Sequence, residues 1–283
     1  MEKSLTWREF IITRLIQTSG YSAIVFVALI FFFLIREGVP TLGEVKLSNL
    51  FSARWYPIEN YFGIVPLITG SLVVTIGAML IAFPLGIGTA VYISEIAPRW
   101  MREILKPLVE LLGGLPSVVL GFLGILLVSP FLRVFLDLPT GLTAFTGSLL
   151  LGGIAVPTIV SVAEDALDAV PRAYREGAWA LGATRWQTIW RVTLPAAKSG
   201  VLTAIMLGIG RAIGETMTVM MVTGNAPVLA VKLGSWFSPV RTMTATIAAE
   251  MGEVANGSVH YHTLFFIGMV LFLISLGVNI AAS

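Results

Sequence analysis

The sequence has no cysteine, only two histidines, and charged residues at just 12% of its 283 positions. Without thiols there are no disulfides, thiolate metal sites or thiol nucleophiles. The two histidines, His260 and His262, fall short of a zinc ligand set, so no metal site is assigned. Soluble proteins carry about twice this share of charge, whereas 56% of the residues here are hydrophobic and the mean hydropathy is +0.89. A chain of this kind has lipid as its solvent, and its apolar stretches reach the about 20 residues that cross a bilayer. The net charge of +2 comes from basic residues interspersed with acids and apolar spans. They read as topology signals rather than as a nucleic-acid surface. No Gly-x-x-x-x-Gly-Lys-Ser/Thr phosphate loop occurs, so the chain is not itself an ATPase, and no catalytic residue is assigned.

Charge-free windows predict an all-α integral membrane protein, one domain over residues 1–283 with six spans. They fall at about Leu15 to Ile35, within Asn60 to Ser94, and at Leu108 to Leu132, Leu142 to Val162, Pro195 to Val222 and Thr263 to Ala282. The first follows a basic lead of Lys3, Arg8 and Arg14, but it is too long for a signal-peptide core and no small-residue cleavage site follows. The second window exceeds the hydrocarbon thickness if straight, so it must tilt, extend beyond the lipid, or break near Pro66 or Pro84. Lys3, Arg8, Arg14, Arg99, Arg102, Lys106, Arg172, Arg175, Arg185, Arg191 and Lys198 fall on one side of this arrangement. Only Arg36, Lys46, Arg54, Arg133, Lys232 and Arg241 fall on the other, which predicts both termini in the cytoplasm. Residues 36–61 and 224–262 are then the main external segments. Their aromatics Trp55, Tyr56, Tyr61, Trp236 and Phe237 are expected in the interfacial belt or on a docking surface. The chain stops at Ser283 with no polar tail, so the last helix is expected to lack part of its cytoplasmic end.

The loop at about 164–195 carries a pattern that lipid does not require. Pro171 suits a first helical turn with Asp168 upstream as its cap, Gly182 suits a helix-ending left-handed residue, and Thr184 suits the next cap. Tyr174, Ala178 and Leu181 share one stripe, a surface shaped for a partner's groove. Glu176-Gly177-Ala178, Gly182 and Val192-Thr193-Leu194-Pro195 resemble the coupling loop of ATP-binding-cassette importer permeases, which reads Glu-Ala-Ala, three residues, Gly, nine residues, Ile-x-Leu-Pro. The departures are Gly177 for Ala and Val192 for Ile. The resemblance implies a coupling helix between spans four and five, docked on a separate ATPase that holds the ATP and magnesium.

Arg211 and Glu215 lie inside the fifth predicted span, where charges are functional candidates by default. Read as a continuous helix, the segment puts them on one stripe with Ala204, Gly208, Thr218 and Val222. Gly210 and Gly214 would let another helix come close. Pro116 is expected to kink the third span, or to break it and free amides near Ser117 for an anion. The segments Gly210-Arg-Ala-Ile-Gly-Glu-Thr216 and Gly114-Leu-Pro-Ser-Val-Val-Leu-Gly121 are similar to signature stretches of phosphate permeases. Trp55-Tyr-Pro and Phe62-Gly-Ile-Val-Pro-Leu-Ile-Thr-Gly70 resemble the PstC rather than the PstA branch. That likeness implies a PstA-like second permease, two PstB-like ATPases and an external PstS-like phosphate-binding protein. The residue chemistry is compatible: guanidinium grips an oxyanion, and Glu215 accepts a hydrogen bond that phosphate offers and sulfate does not. The same stripe also suits a buried ion pair that only fixes packing, another oxyanion permease for sulfate, molybdate or phosphonate, an ion-coupled secondary transporter, or a membrane scaffold. Coupling-loop spacing favours the ATP-driven importer, and the lack of an internal repeat disfavours the secondary transporter.

Overall fold

The computed structural model describes residues 7–282, so Lys3 and Ser283 of the sequence argument lie outside them. The first helix, α1 (Trp7–Gly38), runs into two single turns, α2 (Thr41–Glu44) and α3 (Leu47–Leu50). A two-residue antiparallel hairpin follows, β1 (Trp55–Tyr56) with β2 (Tyr61–Phe62), its turn closed by Asn60 at φ 61°. Among the described residues this hairpin and an isolated bridge between Gly224 and Val240 depart from an all-helical chain.

Helix α4 (Val65–Val91) starts on Pro66, where a missing amide costs nothing, and passes through Pro84 unbroken into a π turn at Tyr92–Ile96. The over-long window therefore extends rather than breaks. Next come α5 (Arg99–Gly113) and α6 (Ser117–Leu123), a π turn at Gly124–Val128 and α7 (Ser129–Phe135). The predicted third span is thus not one helix from Leu108: Pro116 is extended at ψ 129°, and it separates an amphipathic helix from the apolar run 117–135. Helix α8 (Ala144–Asp168) begins on Thr143, whose side chain accepts the Thr146 amide. Helices α9 (Arg172–Ala180), α10 (Arg185–Thr188) and α11 (Leu194–Ala196) form the loop that follows. The chain then turns into α12 (Lys198–Gly214) and α13 (Met217–Val222), and ends with α14 (Met243–Glu250) and α15 (Val259–Ala282).

Among the described residues five helical runs are long and apolar enough to cross a membrane. A sixth qualifies only as the pair Arg185–Ala196 and Lys198–Gly214, bent by 75°. The predicted fifth span differs at its other end too, because Glu215 leaves the helix at ψ 122° before α13 begins. Glu215 is therefore no longer one turn above Arg211 on a shared stripe.

Helix α8 is the axis, with α4, α12 and α5 packed around it. Their shared core is largely small residues, Ala82, Ala90, Ala155, Ala163 and Ala204, which let helix backbones approach closely where lipid supplies no hydrophobic drive. Helix α1 lies on α15, with Phe31 stacked on Phe272 at 4.9 Å. Beneath the hairpin a second core gathers Trp55, Phe62, Leu264 and Ile267. Trp55 is 3% exposed, so it is a core residue, not part of an interfacial belt or docking surface. Tyr56, Tyr61 and Phe237 remain exposed.

Candidate functional site

Two helix breaks meet beside the middle of α8. The first is Gly114–Pro116 between α5 and α6, and the second is Glu215–Thr216 between α12 and α13. Gly113 lies against Pro157, 11 residues from the end of α8 at Asp168, or about 16 Å along the axis. Breaks leave backbone groups without helical partners, and in a membrane protein such backbone belongs where protein or water covers it.

The breaks are joined by the residues that the sequence singled out. Arg211 Nη2 donates to the Gly113 carbonyl at 3.2 Å, and Thr218 Oγ1 donates to the Ser117 carbonyl at 2.9 Å. One carboxylate oxygen of Glu215 accepts the Thr218 amide at 3.2 Å, capping α13, while Thr244 Oγ1 donates to the Glu215 carbonyl. Helices α6 and α13 come close enough that a Cβ on Gly121 would sit 2.8 Å from Met221 Sδ and 3.1 Å from Thr218 Cα. Arg211, Glu215, Ser117 and Thr218 therefore lie together, though Thr218 is fully buried. Among the described residues no ion pair engages Arg211. Its guanidinium is exposed and touches a carbonyl, and a Cβ on neighbouring Gly210 or Gly214 would meet open space. The packing ion pair with Glu215 is not formed.

The loop after α8 folds as two short helices around a left-handed turn. Gly182 adopts φ 80°, a conformation that costs an L side chain about 1–2 kcal/mol. Thr184 and Gln187 form a reciprocal capping box on α10. Asp168 does not cap α9: Ser94 Oγ donates to it at 2.6 Å and Arg102 pairs with it at 3.2 Å. Tyr174, Glu176, Gly177 and Gly182 are exposed, Ala178 is half-buried, and Leu181 is 91% exposed. Leu194 and Pro195 sit on the last turn before the 75° bend into α12.

Sequence reasoning missed the charged lattice around this loop. Lys106 pairs with Glu164 and, at 2.8 Å, with Asp165. Hydrogen bonds from the ammonium to Asp165 and Glu164 outweigh its desolvation and push the Lys106 pKa well above the usual lysine value. The signal was legible: Arg102 and Lys106, four apart, face Glu164, Asp165 and Asp168 at the end of an otherwise apolar span. At the hairpin end, Glu250 accepts from Trp55 Nε1 at 3.2 Å and pairs with Arg241 and His260, each at 2.8 Å. Burial pushes the Glu250 carboxyl up, yet the His260 hydrogen bond, the Arg241 charge and the Trp55 indole together hold it below the usual carboxylate value. His262 Nδ1 lies 2.8 Å from the Glu37 carbonyl.

Residues 82–282 match the family described as binding-protein-dependent transport system inner membrane component. The chain is 43% identical over 235 residues to the probable ABC transporter permease protein YqgH of Bacillus subtilis, covering 82% of this chain and 75% of that one. It is 35% identical over 253 residues to the phosphate transport system permease protein PstC of Mesorhizobium japonicum, covering 83% and 76%. To PstC 1 of Mycobacterium tuberculosis it is 34% identical over 274 residues, covering 89% and 80%. Two solved structures share the fold with TM-scores of 0.59. One is a bacterial alginate ABC transporter in complex with an alginate-bound periplasmic protein, 17% identical and covering 99% and 96% of the two chains. The other is the inward-facing MetNI methionine ABC transporter, 20% identical and covering 81% and 98%. The family match spans well over half the chain, and the apolar helices and the PstC likeness agree with it. This chain belongs to the binding-protein-dependent transport family and is a multi-pass inner-membrane permease subunit of an ABC importer.

Proposed function

We propose that the chain is the PstC-like permease of an ATP-driven inorganic phosphate importer. It works beside a PstA-like permease, two PstB-like ATPases that hold ATP and magnesium, and an external PstS-like binding protein. Both termini and the α9 loop face the cytoplasm, in keeping with the crowding of Lys and Arg on that side. The observation that carries the reading is Arg211, an exposed guanidinium with no carboxylate partner among the described residues, set where two broken helices meet beside the middle of α8. An unpaired cation at that depth attracts an anion, and its free donors fit an oxyanion. The relatives named as phosphate permeases support phosphate as that anion.

Glu215 is fixed by its bond to the Thr218 amide, which leaves its other oxygen to accept a phosphate hydroxyl. Sulfate, with no proton at neutral pH, meets only repulsion there. Ser117 and Thr218 hold the two breaks together through their hydrogen bond and keep Arg211 and Glu215 at a set spacing. On the cytoplasmic side, α9 presents Tyr174, Glu176, Gly177 and Ala178 to the ATPase, with Leu181 just past its end. Gly182, Leu194 and Pro195 shape the lever that leads into α12, the helix that bears Arg211.

The test is ATP hydrolysis by the reconstituted complex, stimulated by binding protein loaded with phosphate or with sulfate. Phosphate is expected to stimulate and sulfate to be inert. In the same complex Arg211→Ala is expected to lower phosphate uptake by at least about tenfold, with assembly intact. Normal uptake by Arg211→Ala would remove the residue from the path.

A further inference from the structure

The C-terminal ends of α4 and α8 and both arms of the α9 loop are tied together by guanidinium groups. Arg175, on α9, holds Glu95 with Nη2 2.6 Å from Oε1 and Nε 3.0 Å and 3.3 Å from the two oxygens. The same side chain donates to the Leu167 carbonyl at 2.9 Å and to the Val170 carbonyl at 2.7 Å, where α8 ends. Both partners are withdrawn from solvent, with side-chain exposures of 13% for Arg175 and 8% for Glu95. Arg185, on the other arm, donates to the Glu95 and Ile96 carbonyls. Arg102 donates to the Ile93 and Ser94 carbonyls.

Helix α9 is bounded by two breaks in the helical backbone, Pro171 before it and the left-handed Gly182 after it. Held at those points alone, a nine-residue helix pressed from outside would swivel, and the displacement would be lost before it reached the spans. A two-pronged contact resists rotation as well as translation, because a guanidinium binds a carboxylate in a fixed plane. Every nitrogen of Arg175 is engaged, and lysine, a single point donor, cannot reproduce the arrangement.

We propose that the Glu95–Arg175 pair is a transmission lock, which makes α9 move as one rigid body with the ends of α4 and α8. The pair acts through the junction of α9 with the spans, so both are positioning residues. The proposal rests on the reading of α9 as the ATPase-docking helix.

The test uses the full complex in vesicles, with phosphate-loaded binding protein outside and ATP available to the ATPase. It scores ATPase co-purification, basal ATP hydrolysis and phosphate moved per ATP. For Glu95→Gln and for Arg175→Lys, the ATPase still co-purifies and basal hydrolysis continues, while phosphate moved per ATP falls by about tenfold, within the reach of variants that act on coupling. The chain has no cysteine, so Glu95→Cys with Arg175→Cys supplies a unique thiol pair. Left open, that pair is expected to lose coupling; bridged by a short bifunctional thiol reagent, it is expected to regain it. Unchanged phosphate per ATP in Glu95→Gln, or a bridge that blocks transport, would overturn the lock. If the unaltered chain never retains the ATPase, the docking role of α9 fails, and that result is distinct from a docked ATPase that stays coupled without Glu95.

Discussion

Arg211 and Lys106 keep positive charge in a lipid-facing bundle in opposite ways. Lys106 is neutralised by Glu164, a carboxylate only 2% exposed, and by Asp165. Lys106→Met is therefore expected to destabilise the protein by about 2 kcal/mol, because a buried carboxylate is left unpaired. A melting curve in detergent will read that loss, whereas Arg211→Ala is expected to melt like the unaltered protein. Glu250 gives a prediction in pH. Its folded carboxyl lies below the ordinary value of 4.5, so its contribution to stability is complete above that pH and is lost as pH falls through the lower folded value. Thermal stability is expected to decline below about pH 4.5, and this component of the decline is expected to vanish in Glu250→Gln, followed by melting temperature across an acid series.

At the scale of elements, the paired breaks set the geometry of the site, and Gly121 is where α6 and α13 touch. Gly121→Leu is expected to cost about 1–3 kcal/mol as an overpacked contact, and to reduce uptake by separating Ser117 from Thr218. Detergent melting and vesicle uptake measured on one preparation check both effects. The existence of long apolar helices was legible in the sequence because charge-free windows are a property of composition, but the bounds of the third and fifth were not. Also legible were the turn at Gly182 and the cap at Thr184, where local chemistry decides. The break at Glu215 was not legible. Gly208, Gly210 and Gly214 lead up to it, but at that spacing they read as a helix-contact stripe, and what ends the helix is distant: the carboxylate leaves it to cap α13 and its carbonyl accepts from Thr244, a residue 29 positions away. Asp168 was misread for a related reason: its partners Ser94 and Arg102 come from distant parts of the chain, and they outcompete a local cap. Trp55 looked interfacial by residue type, yet the hairpin turns it inward against Phe62 and Glu250.

At the scale of the whole molecule, the α9 loop at one end and the Arg211 junction deeper in the bundle share one mechanical path. The chain runs from α9 through the capping box and the 75° bend into α12, which carries Arg211 at its far end. On the proposed reading, force applied to α9 would reach the junction along covalent structure, and the Arg175 lock would pass it sideways to the ends of α4 and α8. Such an arrangement suits a passive gate driven from outside and does not by itself supply energy. The most direct measurement is phosphate uptake into vesicles that hold either this chain alone or the chain with its partner permease, ATPase and phosphate-loaded binding protein. Uptake is expected only in the complete, ATP-supplied vesicles; accumulation of phosphate by the chain alone, without ATP, would contradict the account.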